Sequence, residues 1–287
     1  MPIYAPTLPP RAALNAGQPA WLVLARFDVR RILRQKLGRF FGFVFVFILA
    51  IRMGVLYVNH LLDTKAQLAS VKDLAKEFLA QGASFQADCL PPWLLTVLWF
   101  QVAVVGGGLV ARDTLHRVRP LMYAHPLRPL DYLGAKGLVA AGLPFLIQLP
   151  FVLLPWTASL LIAGLHGPIW PTAPLRLIPA ALLISALMGA VTLGASSMAS
   201  TPRAGFGWVL GIVLGSAALG GMVAGILGNP AWLAFSPGVL VTAWPELLCG
   251  VQAPKLGWVP ALLGTGGHIA FWLWISARRT RPSEAVI

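Results

Sequence analysis

Two cysteines, five histidines and nine acidic side chains are the chain's side chains best suited to metal binding. Cys89 and Cys249 are too few for a zinc-type cluster. Both fall in segments that the pattern below places outside a membrane, where they form a possible disulfide, with two separate thiols as the alternative. His116, His125, His166 and His268 are dispersed over both sides and the last span, and no two sit at ligand spacing on one element, so no metal site is expected. There is no HExxH motif, and the glycines of GGGLVARD (106–113) sit in an apolar stretch where small residues serve close helix packing. Arg52 is the one charge well inside an apolar block. It either faces an aqueous pathway or an anionic lipid group, or it snorkels toward an interface.

The elements that carry these residues follow from composition. The chain is 57% hydrophobic and 11% charged, whereas a soluble domain has roughly a quarter of its residues charged. Mean hydropathy is +0.76. Because the apolar residues come in blocks of about twenty, each block suits a membrane-crossing helix. The sequence predicts an all-α polytopic membrane protein in a single domain, with six spans at residues 40–58, 92–111, 138–164, 177–199, 204–227 and 256–276. Pro144, Pro150 and Pro155 fall in the third span and predict kinks or a discontinuous helix there.

The net charge of +13 would suggest nucleic acid in a soluble protein. Here the charges track the ends of the apolar blocks, and no nucleic acid is expected. With both termini cytoplasmic, every inner segment is basic and the outer segments are near neutral, which is the positive-inside pattern. Residues 1–19 read as a flexible lead. Residues 20–37 predict an interfacial helix with Trp21, Leu24, Phe27, Val29, Ile32 and Leu33 on an apolar side and Arg26, Arg30, Arg31 and Arg34 among its cationic residues. Residues 61–82 predict a short amphipathic helix outside the membrane. The apolar, proline-punctuated segment between spans five and six predicts one or two short re-entrant or interface-lying helices. Glycines at 189, 194, 211, 215, 220, 221 and 225 permit close approach, within the bundle or at a dimer seam.

Residues 109–136, LVARDTLHRVRPLMYAHPLRPLDYLGAK, join spans two and three. Charges keep this segment solvated while Leu121, Met122 and Tyr123 form an apolar patch between turns at Pro120, Pro126 and Pro129. That combination suits a short helix docked on a cytoplasmic protein, with a plain solvated loop as the alternative. On Arg112 and Asp113, then Leu121, Met122 and Tyr123, then Pro126, Leu127 and Arg128, then Asp131, Tyr132, Gly134 and Lys136, the chain resembles the membrane subunits of ABC-2 type exporters. The usual Gly-Lys pair of that family is split here by Ala135. The resemblance extends to the six-span layout, the amphipathic N-terminal helix and the broken segment between the last two spans.

The resemblance implies a bacterial inner-membrane permease that works with a second copy of itself or a homologous permease and with two copies of a cytoplasmic ATPase. It implies no cofactor in this chain and no catalytic residue, with ATP and magnesium held by the partner. Residues 112–137 would form the coupling loop, with Arg112, Asp113, His116, Arg117, Leu121, Met122, Tyr123, Pro126, Arg128, Asp131 and Tyr132 in contact with the ATPase or fixing the return into the membrane. The helix around Trp21 would contact the same partner and membrane lipids. Apolar spans suit a hydrophobic or lipid-like substrate. The alternatives are a non-transporting ATPase-coupled subunit acting on a periplasmic partner and an intramembrane enzyme acting on lipid.

Overall fold

A computed structural model describes residues 19–64, 86–116, 129–163, 169–251 and 254–280. Every regular element among them is helical: α1 (Ala20–Arg34), α2 (Lys36–Thr64), α3 (Pro92–Gly106), α4 (Ala111–Leu115), α5 (Pro129–Ala163), α6 (Ala173–Met198), α7 (Pro202–Leu227), a 3-10 turn (Pro230–Phe235), α8 (Pro237–Cys249) and α9 (Trp258–Thr280). Six stretches are long and apolar enough to cross a bilayer: 36–62, 92–115, 129–162, 173–198, 202–227 and 258–280. That is the build of a multi-pass membrane protein.

Helix boundaries follow local chemistry. Proline sits at the first or second position of α3, α6, α7, α8 and the 3-10 turn, where its missing N–H costs nothing. Thr201, Asn229 and Ser236 cap the starts of α7, the 3-10 turn and α8 by accepting from Ala204, Ala231 and Val239 backbone N–H groups. Gly228 and Gly250 follow α7 and α8 with φ of 62° and 73°, the left-handed conformation that ends a helix most easily at glycine. α1 and α2 are separated by Gln35 alone, which is extended. The turn is so tight that a Cβ on Gly38 would collide with the Ile32 carbonyl oxygen.

α3 and α6 form the centre. In their apolar stretches 78% and 72% of residues are buried, against 33% or less for the other four spans. α6 packs against α3, α5, α7, α8 and α9, and its lining of Ala180, Ala181, Ile184, Leu187, Met188 and Val191 is buried. α2 closes on α5 through an edge-to-face contact of Phe45 with Phe151, with centroids 6.4 Å apart. The outward faces stay apolar, as a hydrocarbon solvent requires, with Phe43, Val46, Leu146, Leu161 and Leu263 exposed. Arg176 stacks on Trp170, and Arg278 on Trp274 at 4.2 Å, pairing cationic heads with aromatic rings near opposite ends of the bundle.

Several boundaries differ from the sequence expectation. α5 is one helix from Pro129 to Ala163 with all three prolines inside it, so the third span is not discontinuous and starts nine residues earlier than 138. Within that stretch Gln148 donates to the Pro144 carbonyl and to Ser185 Oγ, at 3.1 and 2.8 Å, giving the proline-bearing region a side-chain tie to α6. The second span continues through a turn into α4, so the loop expected at 112–137 narrows to the residues between Leu115 and Pro129. The segment between the last two spans forms a 3-10 turn and a short helix. α8 is buried along much of its length, from Pro237 to Cys249, against α3, α6, α7 and α9. The amphipathic helix expected at 61–82 falls mostly outside the described residues; α2 runs on to Thr64.

Candidate functional site

Where α3 gives way to α4, four residues tie the chain's N-terminal helix to both roots of the loop. Lys136 of α5 is 1% exposed, and an ammonium so deeply buried costs several kcal/mol unless it is paired. Its Nζ lies 2.8 Å from Asp113 Oδ2 of α4 and 2.8 Å from Asp28 Oδ2 of α1. Tyr132, one turn before Lys136 on the same face of α5, donates its hydroxyl to the same Asp113 oxygen at 2.9 Å. The Lys136 ammonium also stands 5.4 Å from the Tyr132 ring centroid. Half-buried Arg112 feels both carboxylates, and Arg31 feels Asp28.

The two carboxylates are held unequally. Asp113 Oδ2 accepts from the tyrosine hydroxyl as well as meeting the ammonium. Asp28 Oδ2 meets the ammonium at the same 2.8 Å but has no second donor among the described residues. Burial raises the Asp28 carboxyl above the ordinary aspartate range, and Lys136 offsets this only in part. The arm that reaches α1 is thus the weaker of the two.

Asp113 reaches Lys136 because the second span breaks at residues 107–110. An unbroken helix would satisfy the Val110 and Ala111 N–H groups internally. Here both donate to Ser196 Oγ of α6, at 2.9 and 3.2 Å. At the break Gly107 lies backbone to backbone on Gly205 of α7: a Cβ on Gly205 would collide with the Gly107 carbonyl, and one on Gly107 with the amide of Phe206. α6 and α7 thus set the position of α4, and α4 presents Asp113.

Of the residues expected to couple, the structure brings together Asp113 and Tyr132, with Arg112 beside them. His116 is exposed at the end of α4, and Asp131 is partly exposed in the first turn of α5. Arg117, Leu121, Met122, Tyr123, Pro126 and Arg128 lie outside the described residues. On α1 the inward face is Ala25, Asp28 and Ile32, while Trp21, Phe27, Arg26, Arg30 and Arg34 are exposed and Arg31 is partly so. Trp21 and Phe27 thus lie away from the face of α1 that packs on the bundle. Asp28 and Lys136 were missed as partners. Asp28 is the one acidic residue of α1, and its spacing of three from Ala25 and four from Ile32 marks it as inward-facing.

At the other end of the bundle Arg52 donates to Cys89 Sγ at 3.8 Å and lies within electrostatic reach of Asp88. Its head is directed to the segment just before α3. Burial raises the Asp88 carboxyl; Arg52 lowers it and Glu246 raises it. Cys89 and Cys249 are buried free thiols, with no bond joining them. Burial raises both, and Cys249 is pushed up to about 12 with a further contribution from Cys89 nearby. Among the described residues no group of three or more His, Cys, Asp or Glu is placed to hold a metal ion.

The glycines divide by role. Gly189 lies on Ala141, Gly194 on Trp272 and Gly220 on the Trp232 carbonyl, all within the bundle, whereas Gly211, Gly215, Gly221 and Gly225 face outward with nothing within 4 Å of a Cβ position. Compared with known proteins, the chain matches no family model and no curated protein.

Proposed function

We propose that this chain is the permease subunit of an ATP-driven exporter of the ABC-2 type, moving a hydrophobic or lipid-like substrate and powered by a separate cytoplasmic ATPase that binds ATP and magnesium. Both termini and residues 117–128 are then cytoplasmic, a reading that the basic residues flanking them support. The observation that carries the reading is the Lys136 cluster. The helix before the loop and the helix after it are locked to each other through Asp113, Tyr132 and Lys136, so a push on the loop enters spans two and three as one rigid unit.

Asp28 adds the N-terminal helix to that unit by its weaker arm. Motion that separates Asp28 from Lys136 frees α1, and through the single-residue joint at Gln35 it acts on the first span. Arg31 lies close enough to hold the Asp28 charge in part when the arm opens. The two arrangements of that arm are the two states an ATPase cycle would drive.

The test is purification of the tagged protein from its host in mild detergent. A stoichiometric ATPase, at a mass fitting two copies of each chain, is the expected result; a clean, correctly assembled preparation without one overturns the reading. In the reconstituted complex, Asp28→Asn is expected to keep ATP hydrolysis while lowering transport per ATP several-fold. Reversal of Arg128 or disruption of the patch at Tyr123 is expected to do the same. Unchanged transport in all three variants removes the loop's assigned role.

A further inference from the structure

A groove of about 740 Å³ opens between the 3-10 turn and α9. One wall is Trp232 and Phe235, stacked with centroids 5.5 Å apart. The other is the stripe of α9 that includes Val259, Leu263, Gly267 and Phe271. Apart from Asn229 and His268, the lining is apolar, and the volume lies within the range of ligand-holding pockets.

Two contacts give the groove fixed walls. His268 Nε2 lies 3.1 Å from the Phe235 carbonyl oxygen, tying the 3-10 turn to α9. Gly264 lets the turn approach so closely that a Cβ there would meet Ala234 O at 2.8 Å. Gly267, by contrast, has nothing within 4 Å of a Cβ position, and its bareness forms the floor. Filling that position costs no clash with the chain.

Depth identifies the occupant. Val259 is one residue into α9, and Phe271 is twelve residues further along, about 18 Å at the helical rise. One leaflet contributes about half of a hydrocarbon core roughly 30 Å thick. The groove therefore runs from the membrane face at the α7–α8 connection to mid-depth, over the span of one leaflet's chains. Asn229 stands at its shallow end, just past the C-terminus of α7, with an amide suited to the ester and phosphate oxygens of a lipid. Val259, Leu263 and Phe235 are more than half exposed in this chain, so a hydrocarbon ligand meets apolar surface along its length.

We infer that this groove is a binding site for one acyl chain of a bilayer phospholipid in the leaflet at the α7–α8 connection, with the lipid's ester region at Asn229. The inference rests on the six apolar helices crossing a bilayer and is independent of transport.

The full chain is reconstituted into phosphatidylethanolamine–phosphatidylglycerol vesicles that carry a small fraction of phosphatidylcholine with a diazirine in one acyl chain. After photolysis, adducts are mapped by peptide mass spectrometry. Labelling of residues 229–235 and 259–271 is expected to exceed several-fold that of the lipid-facing Leu146, Leu154 and Leu161 on α5. Gly267→Trp should remove the excess and Gly267→Ala reduce it, with α5 labelling unchanged as the check on folding. Even labelling of all outward faces, or an excess that survives Gly267→Trp, overturns the site. So do disulfide cross-links between cysteines placed in the grooves of two copies, which would make the occupant a second chain.

Discussion

Lys136 and Asp113, 23 positions apart in the sequence, meet at 2.8 Å across the two helices that flank the loop. Neither has appreciable contact with solvent. Removing one partner of a buried pair leaves an uncompensated charge, at about 3–5 kcal/mol. Lys136→Met leaves two carboxylates facing each other, and the detergent-solubilised protein should lose its folded form at a markedly lower temperature in a size-exclusion thermal assay. Adding Asp28→Asn and Asp113→Asn to the same protein should recover most of the loss. A single variant as stable as the parent would show that the cluster does not hold these helices together.

Ser196→Ala removes the shared acceptor of two buried backbone donors. Each orphaned donor costs about 1–3 kcal/mol. The expected outcome is faster deuterium uptake at residues 108–113 than in the parent, while the far end of α3 stays protected. Equal uptake in both proteins would mean that the break is held by other contacts.

Glycines with the same residue type should differ sharply in their tolerance of a methyl group. Gly205→Ala drives a Cβ into the Gly107 carbonyl and should abolish or severely reduce the folded yield. Gly211→Ala and Gly215→Ala, which meet open space within the chain, should leave the yield of folded protein unchanged or slightly raised, since alanine is the better helix former. Fluorescence-detected gel filtration of the three variants reads the difference directly.

The thiols should resist alkylation over a wide pH range. Cys249 is pushed up to about 12 and Cys89 is raised, both chiefly by burial, so little thiolate exists at pH 8. N-ethylmaleimide should label neither in the folded protein within a time that suffices for complete reaction in SDS. The folded chain holds the Cys249 proton more tightly than the unfolded chain. That contribution to stability is complete below the ordinary thiol value of 9.0 and declines as pH climbs toward 12. Non-reducing mass spectrometry that recovers a Cys89–Cys249 cross-link from native membranes would overturn the free-thiol state.

The six spans were legible because each is a run of apolar residues whose length alone fits a bilayer. Their ends were less so. Arg112, Asp113, Asp131 and Lys136 read as loop charges, and the sequence does not display that Asp113 and Lys136 neutralise each other when α4 and α5 fold side by side. The same limit hid Asp28. A lone carboxylate on a basic helix looks like part of its wet face until the partner from a helix more than a hundred residues away is in place. Glycine clustering was visible, but which glycines face inward depends on the rotation of α6 and α7 about their axes, and that is set by packing against α5, α9 and the 3-10 turn.

The Gly107–Gly205 contact constrains how this protein can change over generations. Neither position accepts a side chain while the other helix stays where it is, so one substitution cannot be offset by shrinking the other residue further. Drift at these two sites requires α3 and α7 to move apart, and that movement would carry Ser196, Asp113 and Lys136 out of register with it. Distant relatives can therefore be sought through a joint pattern: a glycine at each of the two sites, the serine on the intervening helix and the two carboxylates with their lysine. Such a search works where the loop between the two helices has diverged beyond recognition.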